Sequence, residues 1–172
     1  MRLAKPLAPG STIGILGGGQ LGRMLALAAG QLGFKCHIFA PEEDSPAFQV
    51  SAAHTVAGYH DFAALEIFAR KVDVVTYEFE NVPGGTAAFL ESQSVLAPGS
   101  AALRTAQDRV DEKTFIAGLG IAVAPFAAVN SEADLEGAIA RIGRPSVLKT
   151  RRFGYDGKGQ TRIAERTSPA AA

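Results

Sequence analysis

Hydrophobic residues along the chain alternate between short unbroken runs and segments in which they recur every three or four positions. The first run contains Ile13, Ile15 and Leu16, which is the length of a strand. The hydrophobic positions that follow have the spacing of a helix buried on one face, and they are Leu21, Met24, Leu25, Ala28 and Leu32. With the glycines at 17–19 as the turn between them, this strand and helix open a βαβ unit.

The same alternation continues to about residue 100. The segments predicted as strands are Lys35–Ala40, His54–Val56 and Val72–Thr76. Asp61 is the predicted N-cap of a helix, and a short helix is predicted at Thr86–Glu91. The residues that the first of these helices is expected to bury are Phe62, Leu65, Phe68 and Ala69. Strands alternating with helices predict an α/β domain at 1–100, a Rossmann-like parallel sheet covered on both faces.

Beyond residue 100 the pattern changes. Residues 101–124 are predicted to form a helical connector, with the charges at 108–113 mostly on a solvated face. A second, smaller unit is predicted at 125–172, beginning with a strand at Ala124–Val129 and a helix capped by Ser131 and Asp134. The last predicted strands, Pro145–Lys149 and Thr161–Ala164, enclose a glycine-rich loop.

Composition narrows the class of protein without identifying it. Among 172 residues, 17 Lys and Arg balance 17 Asp and Glu, so no overall charge favours nucleic acid or a membrane surface as partner. No apolar run approaches the ~20 residues of a membrane span. The single cysteine, Cys36, excludes an internal disulfide and suits a reducing compartment, so we expect a cytoplasmic protein. The three histidines lack metal-ligand spacing, and no metal ligand is predicted in this chain.

The glycine turn permits a first interpretation as a dinucleotide site. Gly17, Gly19 and Gly22 satisfy G-x-G-x-x-G between a predicted strand and a predicted helix, which is where NAD(P) and FAD proteins bind pyrophosphate. That fingerprint also needs an acidic residue at the end of the second strand, to bind the ribose hydroxyls. Here the strand ends at Ala40, and Glu42 lies beyond a proline. The NAD(P)- or FAD-binding interpretation is weakened and stays as an alternative.

A basic, glycine-rich segment follows the strand that ends at Lys149. The segment 150–160 reads TRRFGYDGKGQ, in which Arg151, Arg152 and Lys158 add positive charge. A glycine-rich loop between two strands can cover a triphosphate with its N–H groups. The alternative interpretation is a plain β-hairpin with a solvated basic tip. The segment is not a P-loop, because G-x-x-x-x-G-K-[ST] is absent.

Three segments together resemble one enzyme family. The segment LKTRRFGYDGKGQ at 148–160 resembles the phosphate-covering loop of the ATP-grasp enzymes. The segments GGGQLGRM at 17–24 and TYEFENVP at 76–83 have the order and spacing found in the N5-carboxyaminoimidazole ribonucleotide synthetases. This resemblance, over roughly residues 11–164, implies a pre-ATP-grasp domain at 1–100 and a partial ATP-grasp subdomain at 125–172.

The resemblance implies an activity in purine biosynthesis. The family joins bicarbonate to the amine of aminoimidazole ribonucleotide at the expense of ATP, through carboxyphosphate. ATP and Mg²⁺ are the implied cofactors, with the metal ligands expected outside this chain, and the implied assembly is a homodimer. Because the family's later segments are not found, we expect a truncated form that is inactive alone. A non-catalytic binding or dimerisation module is the further alternative.

The resemblance also implies roles for single residues. The implied ATP contacts are Arg109, Lys149, Gly154, Tyr155, Asp156, Gly157, Lys158, Gly159 and Gln160. Three of these, Tyr155, Asp156 and Lys158, are also implied to act as catalytic residues that contact the ribonucleotide. The implied substrate-binding residues are Gly19, Gln20, Leu21 and Glu78. On composition alone, Glu78 would be a solvated loop carboxylate.

Overall fold

The computed structural model describes residues 5–154 and 157–165. The chain divides into two compact units, Met1–Arg104 and Thr105–Ala172. Within the described residues, no helix is both long and apolar enough to cross a membrane.

The first unit is built on a four-stranded parallel sheet. Its strands are β1 (Thr12–Leu16), β2 (Lys35–Ala40), β3 (Ala53–Val56) and β4 (Val74–Tyr77). The spatial order is β3-β2-β1-β4, and every neighbouring pair is parallel. Ile15 therefore lies between Ile38 of β2 and Thr76 of β4. One further parallel bridge joins Val75 to Leu96.

Helices cover both faces of this sheet. They are α1 (Gln20–Gln31), α2 (Phe62–Ala69) and α3 (Gly84–Gln93), while α4 (Ser100–Gln107) begins in this unit and ends in the next. Because side chains alternate along a strand, Leu16 packs with Phe68 on one face and Ile15 packs with Ala26 on the other. The predicted Rossmann-like α/β fold is confirmed.

The predicted buried face of α1 is wrong. The residues of α1 that are buried are Gly22, Ala26 and Ala29, and their small size lets the helix backbone approach the sheet closely. The larger residues lie on the outer side, where Leu21 is 56% exposed, Met24 60% and Leu32 69%. Helical spacing identifies a stripe, but it does not say which of two apolar stripes meets the sheet.

Helix α2 follows its prediction except at its first residue. The Asp61 carboxylate caps the helix by accepting a hydrogen bond from Ala64 N–H at 3.0 Å. Leu65, Phe68 and Ala69 are buried as expected. Phe62, in contrast, is 45% exposed, and its ring makes a T-shaped contact with the Phe89 ring of α3 at a centroid distance of 5.1 Å.

The second unit contains two helices and a two-stranded antiparallel sheet. The helices are α5 (Arg109–Gly118) and α6 (Glu132–Ile142), and the strands are β5 (Ser146–Lys149) and β6 (Gln160–Ile163). The Asp134 carboxylate accepts a hydrogen bond from Ser131 N–H at 3.1 Å, so the predicted start of α6 is confirmed. Among the described residues of this unit, the buried hydrophobic side chains are Leu135, Ala138 and Ile163.

The strand predicted at Ala124–Val129 does not form. Residues 124–129 are all described and are irregular. Pro125 has no N–H to donate to a ladder. The side chain of Lys113 instead binds the segment, since its Nζ donates to the Ala124 carbonyl at 3.3 Å and lies 5.4 Å from the Phe126 ring centroid.

Candidate functional sites, one in each unit

In the first unit, the glycine turn is joined to the loop after β4 by one carboxylate. Because β1 and β4 are adjacent and parallel, with Leu16 opposite Tyr77, the residues that follow them lie at the same edge of the sheet. The Glu78 N–H donates to the Leu16 carbonyl at 3.1 Å. Its carboxylate accepts hydrogen bonds from Gly19 N–H at 2.9 Å and from Gly22 N–H.

The glycines of the turn make room for this carboxylate. A Cβ on Gly17 would collide with the Glu78 side chain, and its φ of +111° is one that other residues rarely adopt. A Cβ on Gly22 would lie 2.6 Å from the Gly17 carbonyl oxygen. Two glycines of the G-x-G-x-x-G pattern are thus required by contacts inside the protein.

Glu78 therefore occupies the position at which a helix N-terminus binds an anion. The free N–H groups and the helix dipole favour a negative charge there, and the chain supplies that charge itself. A pyrophosphate at the same N–H groups would have to displace a carboxylate and overcome its repulsion. This geometry counts against the dinucleotide alternative.

A cavity of about 430 Å³ opens beside Glu78. Its lining consists of the glycine turn and the loops that follow β2, β3 and β4, namely Gly18, Gly19, Glu42, Asp44, Ser45, Pro46, Tyr59, Glu78, Phe79 and Asn81. Two predicted substrate residues, Gly19 and Glu78, belong to it. The other two, Gln20 and Leu21, lie on exposed positions of α1 and do not line it. We name this cavity the Glu78 pocket.

Sequence reasoning missed most of the Glu78 pocket. The missed signal was available, since Asp44 and Ser45 lie in the polar turn after β2 and Tyr59 lies after β3. Loops at the carboxyl ends of parallel strands converge on one edge. That rule locates these loops together without saying which side chain of each loop faces the cavity.

The Glu78 pocket is acidic. Three of its lining residues, Glu42, Asp44 and Glu78, are carboxylates, and none of the described residues that line it is a lysine or an arginine. Burial raises the pKa of Tyr59 well above its usual range, and the charges of Glu42 and Glu78 raise it further. The Tyr59 phenol is therefore a hydrogen-bond donor at neutral pH. Such a pocket accepts hydroxyl and amine groups and repels a phosphate.

In the second unit, a small pocket forms under the glycine-rich loop. It encloses about 120 Å³ and is lined by Arg109, Lys149, Thr150, Gly154, Gly157, Lys158, Gly159 and Gln160. The β5–β6 ladder creates it by pairing Lys149 with Gln160, and the Thr150 N–H donates to the Gly159 carbonyl at 2.8 Å. We name it the phosphate-loop pocket.

Every predicted ATP contact within the described residues lines the phosphate-loop pocket. Tyr155 and Asp156 lie outside the described residues. Sequence reasoning missed Thr150, whose side chain would meet a Cβ built on Gly154 or Gly159. Three cationic side chains, those of Arg109, Lys149 and Lys158, face one small space. This arrangement suits the oxygens of a polyphosphate.

The arginine pair predicted beside the phosphates has a different role. Arg151 binds the Asp108 carboxylate through Nε at 2.9 Å, and Arg152 donates to the Gln107 side chain at 2.9 Å. Neither arginine lines the phosphate-loop pocket. Asp108 is only 15% exposed, so the predicted solvated face at 108–113 is wrong at this residue.

No group of three His, Cys, Asp or Glu side chains suited to a metal ion occurs within residues 5–154 and 157–165. The residues of the phosphate-loop pocket that carry charge are cations and do not fit Mg²⁺.

Two of the histidines have contacts within the first unit. His37 is buried and its Nε2 lies 2.8 Å from the Thr55 hydroxyl. His54 stacks on Phe48 with ring centroids 4.3 Å apart.

Comparison with known proteins identifies the family. A family model described as the ribonucleotide synthetase preATP-grasp domain matches residues 10–107, and an ATP-grasp domain model matches residues 114–172. An N5-carboxyaminoimidazole ribonucleotide synthase of Brucella melitensis is 49% identical over 158 residues, which are 92% of this chain and 44% of the relative. The chain belongs to this synthetase family. The resemblance seen in the three sequence segments is confirmed.

Solved synthetases share the fold. A crystal structure of an N5-carboxyaminoimidazole ribonucleotide synthetase in complex with ADP has a TM-score of 0.90 at 44% identity, covering 95% of this chain and 44% of that one. The Aspergillus clavatus synthase, in complex with ADP and 5-aminoimidazole ribonucleotide, has a TM-score of 0.79 at 30% identity, covering 94% and 42%. The chain thus spans about two fifths of the length of the synthetases it matches.

Proposed function

We propose that the full-length protein carboxylates aminoimidazole ribonucleotide, using ATP and bicarbonate, in purine biosynthesis. The observation that carries this proposal is the phosphate-loop pocket, which gathers Arg109, Lys149 and Lys158 under a glycine-rich loop in a chain of this family. The synthetases crystallised with ADP and with 5-aminoimidazole ribonucleotide support it.

In this proposal, a bicarbonate oxygen attacks the γ-phosphorus of ATP, and the bond to the ADP oxygen breaks. The amine of the ribonucleotide then attacks the carboxyl carbon of carboxyphosphate. Phosphate leaves with the oxygen that came from bicarbonate, and the amine nitrogen loses one proton. The products are ADP, phosphate and the N-carboxylated ribonucleotide.

We assign this chain's side chains to positioning and charge neutralisation. Arg109, Lys149 and Lys158 would hold the ATP phosphates while charge moves among their oxygens. The glycine-rich loop would shield carboxyphosphate from water. Tyr155 and Asp156, which lie outside the described residues, are proposed as contacts to the ribonucleotide on the resemblance alone. Mg²⁺ would neutralise phosphate charge, and its ligands would lie outside the described residues.

We assign the ribonucleotide's hydroxyl or amine groups to the Glu78 pocket. Its carboxylates, Glu42, Asp44 and Glu78, can accept hydrogen bonds from such groups. The acidic lining disfavours the substrate phosphate, which we therefore place elsewhere. Gln20 and Leu21 are not assigned to this pocket.

The proposal is tested by ADP formation in the full-length protein. We expect ADP to form only when ATP, bicarbonate and aminoimidazole ribonucleotide are all present, with omission of either co-substrate lowering the rate at least tenfold. Equal ADP formation without the ribonucleotide would contradict the proposal. The variant Lys35→Ala, which removes an exposed lysine of β2, should form ADP at the same rate as the unsubstituted protein.

The alternative of a binding or dimerisation module has one specific observation in its favour. Leu21 and Met24 on the outer face of α1, and Leu32 at its C-cap, are exposed, and exposed apolar surface is typical of interaction sites. Homodimer formation and a cytoplasmic location are likewise proposals. Light scattering of Met24→Lys beside the unsubstituted protein tests pairing through this face, and identical masses for the two would contradict it.

A further inference from the structure

An ion pair joins Asp108, at the start of α5, to Arg151, two residues after the end of β5. Arg151 donates from Nε to both Asp108 carboxylate oxygens, at 3.1 and 2.9 Å, and its second guanidinium nitrogen lies 2.8 Å from Oδ2. Arg151 also donates to the side chain of Asn130 at 3.3 Å. Planar guanidinium–carboxylate pairs of this kind are directional as well as strong.

Asp108 also stabilises the start of α5. It is the N-cap of α5, and its Oδ1 accepts from Val110 N–H at 2.9 Å and from Asp111 N–H at 3.3 Å. Burial raises the pKa of Asp108, but the hydrogen bonds from Arg151 and from these backbone groups outweigh that effect and bring its pKa below the usual range. The carboxylate is thus charged and held from two sides.

The backbone next to this pair is held as well. The Arg109 N–H donates to the Arg151 carbonyl at 3.0 Å, and Arg152 binds Gln107, which is buried. These hydrogen bonds and the ion pair therefore fix the positions of residues 107–109 relative to residues 151 and 152. Arg109, which is next to Asp108 in the chain, and Lys149, which is two residues before Arg151, both line the phosphate-loop pocket.

We propose that Asp108 and Arg151 are positioning residues for ATP binding, which fix Arg109 relative to Lys149. This inference rests on the proposed function, because it takes the phosphate-loop pocket to be the ATP site. Neither side chain lines the pocket, so both act through Arg109. The ion pair of Arg151 and the hydrogen bond from Arg152 to Gln107 explain why these two basic residues of the segment 150–160 do not line the phosphate-loop pocket.

The variant Asp108→Asn separates the helix-capping role of this residue from its ion pair with Arg151. Asparagine caps helices about as well as aspartate, but it lacks the charge that pairs with Arg151. We expect Asp108→Asn to weaken MgATP binding to the full-length protein by about 5- to 20-fold in calorimetric titration. The matched control is Glu66→Gln, which removes the Glu66–Arg70 pair on the exposed surface of the first unit, and it should leave the affinity within twofold.

A double-mutant cycle distinguishes positioning from general destabilisation. If Asp108 acts through Arg109, Asp108→Asn should change the ATP affinity less than twofold in an Arg109→Ala background. Arg151→Lys keeps the charge but loses the planar geometry, and it should weaken binding in the same direction as Asp108→Asn. In steady-state assays the KM for ATP should rise, with a smaller change in kcat.

The outcomes separate this inference from the proposed function. An unsubstituted protein that binds ATP without carboxylating the ribonucleotide would overturn the proposed function, while the cycle on ATP affinity would still test the positioning role. Unchanged affinity in Asp108→Asn, or an equal loss with and without Arg109, would overturn the positioning role alone. Failure of the unsubstituted protein to bind ATP would overturn both.

Discussion

The Glu78 carboxylate accepts a hydrogen bond from the Gly19 N–H at 2.9 Å, although the two residues are 59 positions apart in the chain. This contact places a negative charge at the N-terminus of α1, where dinucleotide-binding folds place a pyrophosphate. One side chain thus stabilises the turn and lines the adjacent acidic pocket. The glycines leave room for that carboxylate, and the pattern is therefore not a fingerprint for dinucleotide binding in this chain.

Substitution of two glycines should have opposite effects on stability. Gly17→Ala introduces a Cβ against Glu78 at a φ of +111°, and it should lower the free energy of unfolding by about 2–4 kcal/mol. Gly30→Ala lies within α1 with nothing within 4 Å of the new Cβ. It should raise the free energy of unfolding by roughly 0.5–1 kcal/mol. Urea unfolding followed by circular dichroism measures both, and equal effects would contradict the role given to Glu78.

Removal of the lysine at the end of β5 should weaken nucleotide binding. Lys149→Ala takes one of three cationic side chains from the phosphate-loop pocket, and a lost charge-assisted contact corresponds to roughly a 10- to 100-fold increase in the Kd for MgATP. Isothermal titration of the full-length protein measures this. Lys35→Ala, on an exposed position of β2, is the control, and equal Kd values for the two variants would be evidence against the site.

His37 should make the first unit less stable as the pH falls. Burial lowers its pKa from the usual value near 6.5, and the charges of Lys71 and His54 lower it further. The unfolded chain therefore takes up a proton at a higher pH than the folded chain does. The contribution is fully present above pH 6.5 and is lost as the pH falls from there through the folded-state pKa, by at most about 1.4 kcal/mol per pH unit.

The variant His37→Gln removes this titration and should flatten the dependence of the melting temperature on pH between about 8 and 5.5. His60→Gln, at an exposed position, should keep the slope of the unsubstituted protein. An identical slope in His37→Gln would show that another group is responsible.

The two units should differ in protection from hydrogen exchange. The sheet of the first unit has hydrophobic clusters on both faces. Among the described residues of the second unit, β5 and β6 pair only with each other, and three hydrophobic residues are buried. Amides of β1 and β2 should therefore exchange at least about tenfold more slowly than those of β5 and β6. Equal protection in the 172-residue chain would mean that the second unit has a stronger core than its buried residues indicate.

The sequence predicted elements more reliably than it predicted faces and partners. The bounds of β2 and the N-caps Asp61 and Ser131 follow from local chemistry, since run length and capping depend on neighbouring residues. The buried face of α1 was missed because its small residues, not its large ones, meet the sheet. The strand predicted at 124–129 does not form, and the prediction failed because hydrophobic alternation carries no information about whether a partner strand pairs with the segment.

The two candidate sites likewise differ in how much of each could be predicted from a local sequence pattern. The phosphate-loop pocket lies within one hairpin and one helix start, so a contiguous motif located nearly all of its described lining. The Glu78 pocket draws between one and four residues from each of four loops, and the ion pair of Asp108 joins residues 43 positions apart. Contacts of this kind depend on how the chain folds back, and no local pattern encodes them.

The most direct test of the central proposal follows one oxygen atom. With ¹⁸O-labelled bicarbonate, ATP and aminoimidazole ribonucleotide, the phosphate released by the full-length protein should carry one ¹⁸O per turnover, because that oxygen bridges carbon and phosphorus in carboxyphosphate. Mass spectrometry of the phosphate measures this transfer. Phosphate without the label, released at the same rate, would show that water attacks ATP and would contradict the proposed function.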